Sequence, residues 1–226
     1  MSGTVCLQGG AEFGADCVDM DRALLAADPG PVVVSALAGT VGSDYATASA
    51  RGVQHFQALG ATDVVAAPDV REDRESALAV LRTARLLVLP GGSPSRLLAA
   101  LTTTGADGVV QELLAAGGTV MGASAGAMVL CGWTVLPDRG RPQVTRGLGA
   151  LPALLVVPHW TPGDRRPDWL AAIRAGVPDD VQILGLPEQS GVVVASDGTI
   201  TAVGRTATRL VSADRDLAVG STWRPV

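Results

Sequence analysis

Short apolar runs alternate with amphipathic segments along most of the chain. The runs are rich in Val, Leu and Ala, which is typical of strands buried on both faces of a sheet, and the segments between them have helical spacing. The runs predict strands at residues 4–8, 31–37, 62–67 and 84–89, and at the start of 119–131. The segments predict helices at residues 17–27, 44–59, 75–83, 93–101 and 108–116. This alternation predicts a parallel sheet joined by right-handed crossovers.

The pattern changes in the C-terminal part of the chain. The predicted elements there are strands at 154–157 and 181–186, a helix at 167–175, a hairpin of 191–195 and 199–203, and a short strand within 209–217. The hairpin is predicted to turn at Asp197-Gly198. We find no repeat or linker. We therefore predict one α/β domain, residues 1–226, with a mostly parallel central sheet, helices on both faces and a C-terminal β-hairpin.

The composition agrees with this fold class and excludes several kinds of function. Of the 226 residues, 47% are hydrophobic and 17% are charged, which is typical of a folded protein with a sizeable core. A net charge of -5 argues against a nucleic-acid partner, because such a partner requires a basic face. No apolar run approaches the roughly 18 residues that span a bilayer, so no membrane partner is expected.

The cysteines and the amino terminus indicate the compartment. Cys6, Cys17 and Cys131 are odd in number and form no C-x-x-C pair, which favours a reducing environment. The first residues lack the basic-then-apolar pattern of a signal peptide. We expect a cytoplasmic protein, either a monomer or a homodimer.

Residues 119–131, TVMGASAGAMVLC, predict a strand, a cramped turn and the start of a helix. The segment GASAG at 122–126 fits G-x-S-x-G, the nucleophile elbow of serine hydrolases. A hydroxyl attacks well when it projects from a sharp bend, and small flanking residues let the strand and the helix approach closely there. Ser124 is therefore a candidate nucleophile.

A serine nucleophile needs a base, which is usually an oriented histidine. The chain has two histidines. His55 falls within a predicted helix, where a solvated or partly packed position is expected. His159 follows an apolar strand, between Pro158 and Trp160, and in a parallel sheet this places it on the same edge as the elbow. His159 is the predicted base.

The base needs an acid, and the oxyanion needs two amides. Glu188 follows a predicted strand and is the favoured acid, while Asp138, downstream of the elbow helix, is the alternative. The amide of Ala125 is one candidate oxyanion donor, and Gly91 or Gly92 offers the other.

Cofactor motifs are missing from the sequence. The glycines after the first strand do not fit G-x-G-x-x-G, and there is no G-x-x-x-x-G-K-[ST]. Two distant histidines do not make a metal site. We expect neither a cofactor nor a metal.

Four segments carry a resemblance to a known family. They are ALAVLRTARLLVLPGGSPSRLL, GASAGAM, VVPHW and ILGLPEQSGVVVASDG. In these segments, and in order over nearly its full length, the chain resembles the serine peptidase family of dipeptidase E (aspartyl dipeptidase) and cyanophycinase. The fold of that family is similar to the class I glutamine amidotransferase domain.

The resemblance implies a role for each matching position. Ser124 would be the nucleophile and His159 the base, with the amides of Gly92 and Ala125 forming the oxyanion hole. Glu188 lies where cyanophycinase-like members carry the third residue. Dipeptidase E instead takes an aspartate downstream of the serine, for which Asp138 is the nearby candidate.

The sequence also departs from the family. Ser93-Pro94 follows the Gly-Gly pair, where relatives usually carry Asn or an acid and then Thr or Gln. Amidotransferases of this fold use a cysteine at the elbow, where this chain has Ser124, so glutaminase chemistry is not expected.

The leading hypothesis is a serine peptidase that cleaves short peptides through an acyl-enzyme, with aspartyl or β-aspartyl bonds as the candidate class. A small peptide is the expected partner. Four arginines near the site in sequence are weak candidates for a substrate carboxylate: Arg139, Arg141, Arg165 and Arg166. The alternatives are a non-catalytic relative that binds an amino-acid-like ligand or a partner in the same cleft, and an esterase for a non-peptide acyl compound.

Overall fold

The computed structural model describes residues 2–138, 141–161, 163 and 166–225, without the side chain of Asp138. Five of the eight strands in its largest sheet are parallel to one another. These strands are β1 (Thr4–Gln8), β2 (Val32–Val34), β3 (Val64–Ala66), β4 (Leu86–Leu89) and β5 (Thr119–Ala123). They lie side by side in the order β1-β5-β4-β2-β3.

Helices fill the connections between these strands. They are α1 (Val18–Ala27), which follows a 3-10 turn at Ala15–Cys17, α2 (Ser43–Ala58), α3 (Arg74–Leu81), α4 (Pro94–Thr104) and α5 (Ala106–Ala115). A sixth helix, α6 (Ala125–Leu130), starts directly after β5. The strand–helix alternation predicted from the sequence is therefore present.

Successive strand residues point to opposite faces of this sheet and bury two separate layers. Val5 and Leu7 of β1 belong to the core under α3 to α6, whereas Cys6 between them belongs to a second cluster with Leu24 of α1 and Phe56 of α2. This period-2 pattern inside continuous apolar runs is what a sheet covered on both faces requires.

Antiparallel strands extend the same sheet beyond β1. They are β10 (Ser190–Val194), β11 (Ile200–Gly204) and β14 (Thr222–Trp223). The sheet order continues as β14-β11-β10-β1. The hairpin β10–β11 turns at Gly198, whose φ is +84°, and the Asp197 carboxylate accepts a hydrogen bond from the Thr199 amide. The α/β class, the mostly parallel sheet and the C-terminal hairpin are confirmed.

A second sheet and a separate hairpin complete the described fold. The second sheet has the order β13-β12-β9-β8, from β8 (Leu154–Pro158), β9 (Gln182–Leu186), β12 (Thr208–Leu210) and β13 (Arg215–Leu217). The hairpin pairs β6 (Trp133–Asp138) with β7 (Arg141–Arg146). Helix α7 (Pro167–Gly176) covers β8, with Leu170 and Ile173 packed against Leu155 and Val157.

Two sequence predictions need correction, and one hairpin was missed. The strand expected at 31–37 is shorter, because the chain turns after it and the Gly39 amide donates to the Ala36 carbonyl. Residues 209–217 hold parts of two strands, not one. The β6–β7 hairpin was not predicted, because Pro137 and Pro142, which face each other in it, are typical of loops. The assignment of residues 1–226 to one domain stays a prediction.

Candidate active site

Ser124 occupies the sharp turn between β5 and α6. Its φ of +48° is unusual for a residue with a side chain, and such backbone strain is concentrated at functional sites. The turn is tight because two glycines leave no room for larger residues. A Cβ on Gly122 would lie 2.4 Å from the Gly126 carbonyl carbon, and one on Gly126 would lie 2.1 Å from the Leu89 oxygen. The elbow predicted from G-x-S-x-G is present.

Ser124, His159 and Glu188 form a continuous line of hydrogen bonds. Ser124 Oγ lies 2.8 Å from His159 Nε2, and His159 Nδ1 lies 2.9 Å from Glu188 Oε1. When the Nδ1–H group donates to the carboxylate, Nε2 is the lone-pair nitrogen and accepts the Ser124 hydroxyl proton. The side chains of His159 and Glu188 are 39% and 59% exposed, so substrate can reach them.

His159 and Glu188 both follow strands of the second sheet. Pro158 and Leu186 are partners at the ends of the parallel strands β8 and β9, so the residues that follow them emerge side by side. The sequence-based argument placed His159 on the edge of the same sheet as the elbow, and this was wrong. Two sheets meet at the site, and each supplies part of the hydrogen-bonded line.

The loop after β1 joins the two sheets at this point. The Gly9 carbonyl accepts a hydrogen bond from the His159 amide at 2.8 Å, and the Gly10 carbonyl accepts one from the Gln189 amide at 2.9 Å. Gly10 has a φ of +126°, and a Cβ there would lie 2.3 Å from His159 Cε1. The imidazole therefore lies directly on the backbone of a glycine that no other residue could replace without displacing the ring.

Gly91 lies beside Ser124. A Cβ on Gly91 would lie 3.2 Å from Ser124 Cβ and 3.0 Å from Glu12 Oε1. The Gly91 amide donates to Glu12 Oε1 at 2.7 Å. Gly92 has a φ of +138° and packs against the Ala38 carbonyl, and Ala125 is the buried first residue of α6, where helix amides lack partners within the helix.

The Ser93-Pro94 departure has a structural role. The Ser93 side chain accepts a hydrogen bond from the Arg96 amide, and Pro94 occupies the first turn of α4. Serine at the cap followed by proline is a favoured helix start. The pair therefore begins the helix that follows the glycines.

The remaining predicted site residues belong to β6, β7 and the start of α7 or lie outside the described residues. Asp138 ends β6 opposite Arg141, which is exposed, and the side chain of Asp138 is outside the described set. Arg166 precedes α7 with its guanidinium over the Trp169 ring, 5.2 Å from the centroid. Arg139 and Arg165 lie outside the described residues.

A cavity of about 790 Å³ opens beside His159 and Glu188. Its wall includes Trp160, Thr206 and two arginines, Arg205 and Arg209. Both arginines already have carboxylate partners, since Arg205 lies 3.3 Å from Asp16 and Arg209 lies 3.1 Å from Asp216. The cavity therefore lies next to the imidazole, and neither Ser124 nor a residue of α6 belongs to its lining.

His55 is partly buried and hydrogen-bonds a carboxylate other than Glu188. Its Nε2 lies 2.8 Å from Asp21 Oδ2, and the other oxygen of the fully buried Asp21 accepts from the Gln8 side chain at 2.6 Å. The ring also packs against Phe13 and Phe56. A solvated or partly packed position was expected, and His55 is partly buried, as a member of a polar cluster.

Cys131, at the end of the elbow helix, is an inert thiol. It is fully buried, and burial raises its pKa to about 12. Its Sγ donates to the Ala127 carbonyl. A thiol that stays protonated at neutral pH cannot act as the nucleophile of an amidotransferase.

Sequence reasoning missed Glu12, Arg205 and Arg209. Glu12 lies on the loop after β1 and reaches Gly91, 79 positions along the chain. The glycines at 9 and 10 marked this loop, but nothing in the local pattern separates Glu12 from an ordinary exposed acid. Arg205 follows β11, and Arg209 lies within β12, a strand that the sequence analysis did not separate from β13.

Comparison with known proteins identifies the family. The model of peptidase family S51 matches residues 37–202. The chain belongs to peptidase family S51. This is the dipeptidase E family, so the protein is a serine peptidase, as the resemblance implied. A search of curated proteins finds no match.

Two solved structures share the fold of this S51 peptidase. One is a peptidase from an acI-B1 Actinobacterium, with 24% identity, a TM-score of 0.83, and coverage of 99% of this chain and 97% of that one. The other is a putative peptidase E protein from Listeria monocytogenes EGD-e, with 18% identity, a TM-score of 0.68, and coverage of 90% and 99%. At these identities the likeness supports the fold alone. Among the helices of the described residues, none has the length and apolar character to cross a membrane.

Proposed function

We propose that this S51 peptidase hydrolyses short peptides through an acyl-enzyme formed on Ser124. The observation that carries the proposal is the unbroken hydrogen-bonded line from Ser124 through His159 to Glu188. A hydroxyl on a strained turn, a base with its lone pair toward that hydroxyl and a carboxylate behind the base are the parts that serine acyl transfer requires.

In the first half of the reaction, Ser124 Oγ attacks the scissile carbonyl carbon while His159 Nε2 takes the hydroxyl proton. The imidazolium that forms is stabilised by Glu188 at Nδ1 and gives its Nε2 proton to the leaving amine. In the second half, water attacks the acyl-enzyme, with His159 again as the base. The carboxyl product leaves and Ser124 regains its proton.

The negative oxygen of the tetrahedral intermediate needs amides already in place. We propose the amides of Ala125 and Gly92, the pair that the family resemblance implies. The Gly91 amide is already engaged, because it donates to Glu12 Oε1 at 2.7 Å. Loss of one such donor from a serine hydrolase costs about 10²- to 10³-fold in rate.

We propose Glu188, rather than Asp138, as the acid. The 2.9 Å hydrogen bond to His159 supports this choice. The substrate is proposed to be a small peptide, with aspartyl and β-aspartyl dipeptides as the first candidates. No nucleic acid or membrane partner is proposed.

The test is hydrolysis of Asp-Leu, β-Asp-Leu and Ala-Leu by the unaltered protein and by Ser124→Ala. We expect serine-dependent cleavage, with turnover falling at least about 10⁴-fold in the variant. Ser43→Ala, at the exposed start of α2, is the matched control and should keep full activity. Cleavage of the aspartyl peptides alone supports the aspartyl substrate class, whereas cleavage of Ala-Leu as well supports a broader dipeptidase. Turnover that persists in Ser124→Ala contradicts the proposal.

A further inference from the structure

A carboxylate stands beside the nucleophile without a place in the hydrogen-bonded line. Glu12 Oε1 accepts from the Gly91 amide at 2.7 Å, and both Glu12 and Ser124 lie against the same side of Gly91. In the described part of the chain the recorded hydrogen bond of this carboxylate is the one to Gly91, so Glu12 Oε2 is available to a ligand. The side chain is partly buried.

This position is unfavourable for catalysis unless a positive charge arrives with the substrate. The tetrahedral intermediate carries a negative oxygen next to Ser124, and a second negative charge nearby raises the energy of that intermediate. No described arginine pairs with Glu12. A bound cation would remove the repulsion, and a cationic N–H group would also donate a hydrogen bond to the carboxylate.

The substrate itself supplies a cation of the right placement. In a peptide cleaved after its first residue, the α-ammonium group is two bonds from the carbonyl carbon that Ser124 attacks. A carboxylate that contacts the backbone next to Ser124 is therefore close to this group. An internal residue of a longer chain has an uncharged amide at the same place.

We propose that Glu12 is a specificity-determining residue that binds the free α-ammonium group of the acyl residue. This inference rests on the proposed function, because it takes Ser124 as the nucleophile. The preferred substrates are then peptides cleaved at their first bond, and N-blocked peptides and interior bonds are poor substrates.

The backbone holds Glu12 in place for this role. The residues on both sides of it, Ala11 and Phe13, have φ values of +52° and +65°. In the same loop, the Gly9 carbonyl accepts a hydrogen bond from the His159 amide, and the Gly10 carbonyl accepts one from the Gln189 amide. The carboxylate is thus carried by the loop that also positions the base, so its distance from the reacting atoms is defined.

The test compares Asp-p-nitroanilide with N-acetyl-Asp-p-nitroanilide, in which an acetyl group removes the charge of the α-nitrogen. For the unaltered protein we expect kcat/KM to favour the free amine by at least about tenfold. Glu12→Gln keeps the shape and the acceptor oxygen for Gly91 but removes the charge, and it should abolish this preference. Glu12→Asp should restore part of it. Asp19→Asn, an exposed charge removal on α1, should leave the preference intact.

A binding experiment separates this inference from the proposed function. In Ser124→Ala, where turnover is removed, Asp-Leu should bind at least about tenfold more tightly than N-acetyl-Asp-Leu, and adding Glu12→Gln should make the two affinities equal. If both p-nitroanilides lose the same factor in Glu12→Gln, Glu12 only supports Gly91 and the inference is wrong. Equal binding of the two peptides to Ser124→Ala overturns it as well. Turnover that survives Ser124→Ala is instead a failure of the proposed function.

Discussion

The two halves of the candidate site are built in opposite ways. The nucleophile half is contiguous in sequence: β5, the turn and α6 follow one another, and Ser124 is surrounded by buried residues of the main core. The base half is assembled from distant segments, because His159 and Glu188 follow strands of the second sheet and Gly10 comes from the loop after β1. The first half depends on backbone packing, and the second on long-range hydrogen bonds between half-exposed groups.

This difference predicts how each half fails. A change in the nucleophile half meets rigid backbone and disturbs the core, so stability and activity are lost together. A change in the base half removes one interaction of an accessible side chain, so the fold persists while the rate falls. Two substitutions, taken from the larger expected effect to the smaller, test this contrast.

Gly126→Ala should have the largest effect. The new Cβ would lie 2.1 Å from the Leu89 carbonyl oxygen, and neither α6 nor β4 can yield without moving the core. We expect the free energy of unfolding to fall by about 3 kcal/mol or more, with loss of activity. Urea unfolding followed by circular dichroism measures it.

Gly108→Ala is the matched control for that substitution. Gly108 lies within α5, and a Cβ there meets nothing within 4 Å. Replacing a glycine in a helix by alanine should raise the free energy of unfolding by about 0.5–1 kcal/mol. Equal stability of the two variants would contradict the close strand–helix contact at the elbow.

Glu188→Gln should reduce the rate and leave the fold intact. The amide cannot stabilise the imidazolium as a carboxylate does. Because the site is accessible, water replaces part of the lost stabilisation. We expect kcat to fall by about 10²- to 10³-fold, with unfolding unchanged. Steady-state kinetics on the peptide that the unaltered protein cleaves fastest provides the measurement.

Asp138→Asn distinguishes the two candidate acids. Glu112→Gln, on the surface of α5, is the control for Glu188→Gln, because it also removes an exposed glutamate. Both should retain a rate close to that of the unaltered protein. A loss in Asp138→Asn as large as that in Glu188→Gln would mean that the assignment of the acid is wrong.

The same contrast explains what the sequence could predict. The elbow, the strand–helix alternation and the two-faced sheet follow from local patterns, since the small residues at 122 and 126 and the apolar runs are contiguous in the chain. The position of His159 at a strand end was also predictable, but the sheet that carries it was not. Parallel pairing of β8 with β9, and docking of their ends on Gly9 and Gly10, depend on contacts between segments far apart in sequence.

Glu12 illustrates the remaining limit most clearly. Its neighbours in sequence give no sign of a role, because the feature that distinguishes it is a hydrogen bond to the Gly91 amide on a different loop. The same is true of Arg205 and Arg209, which reach the cavity only because two hairpins bring them there. Groups assembled by tertiary contacts have no local signature.

The most direct test of the central claim is the site at which a fluorophosphonate reacts with the protein. Such a probe labels a serine hydroxyl that a base activates, so peptide mapping by mass spectrometry should find the adduct on Ser124. Labelling should be lost in Ser124→Ala and in His159→Ala, while both variants unfold like the unaltered protein. An adduct on another residue, or labelling of Ser124→Ala at the rate of the unaltered protein, would contradict the account.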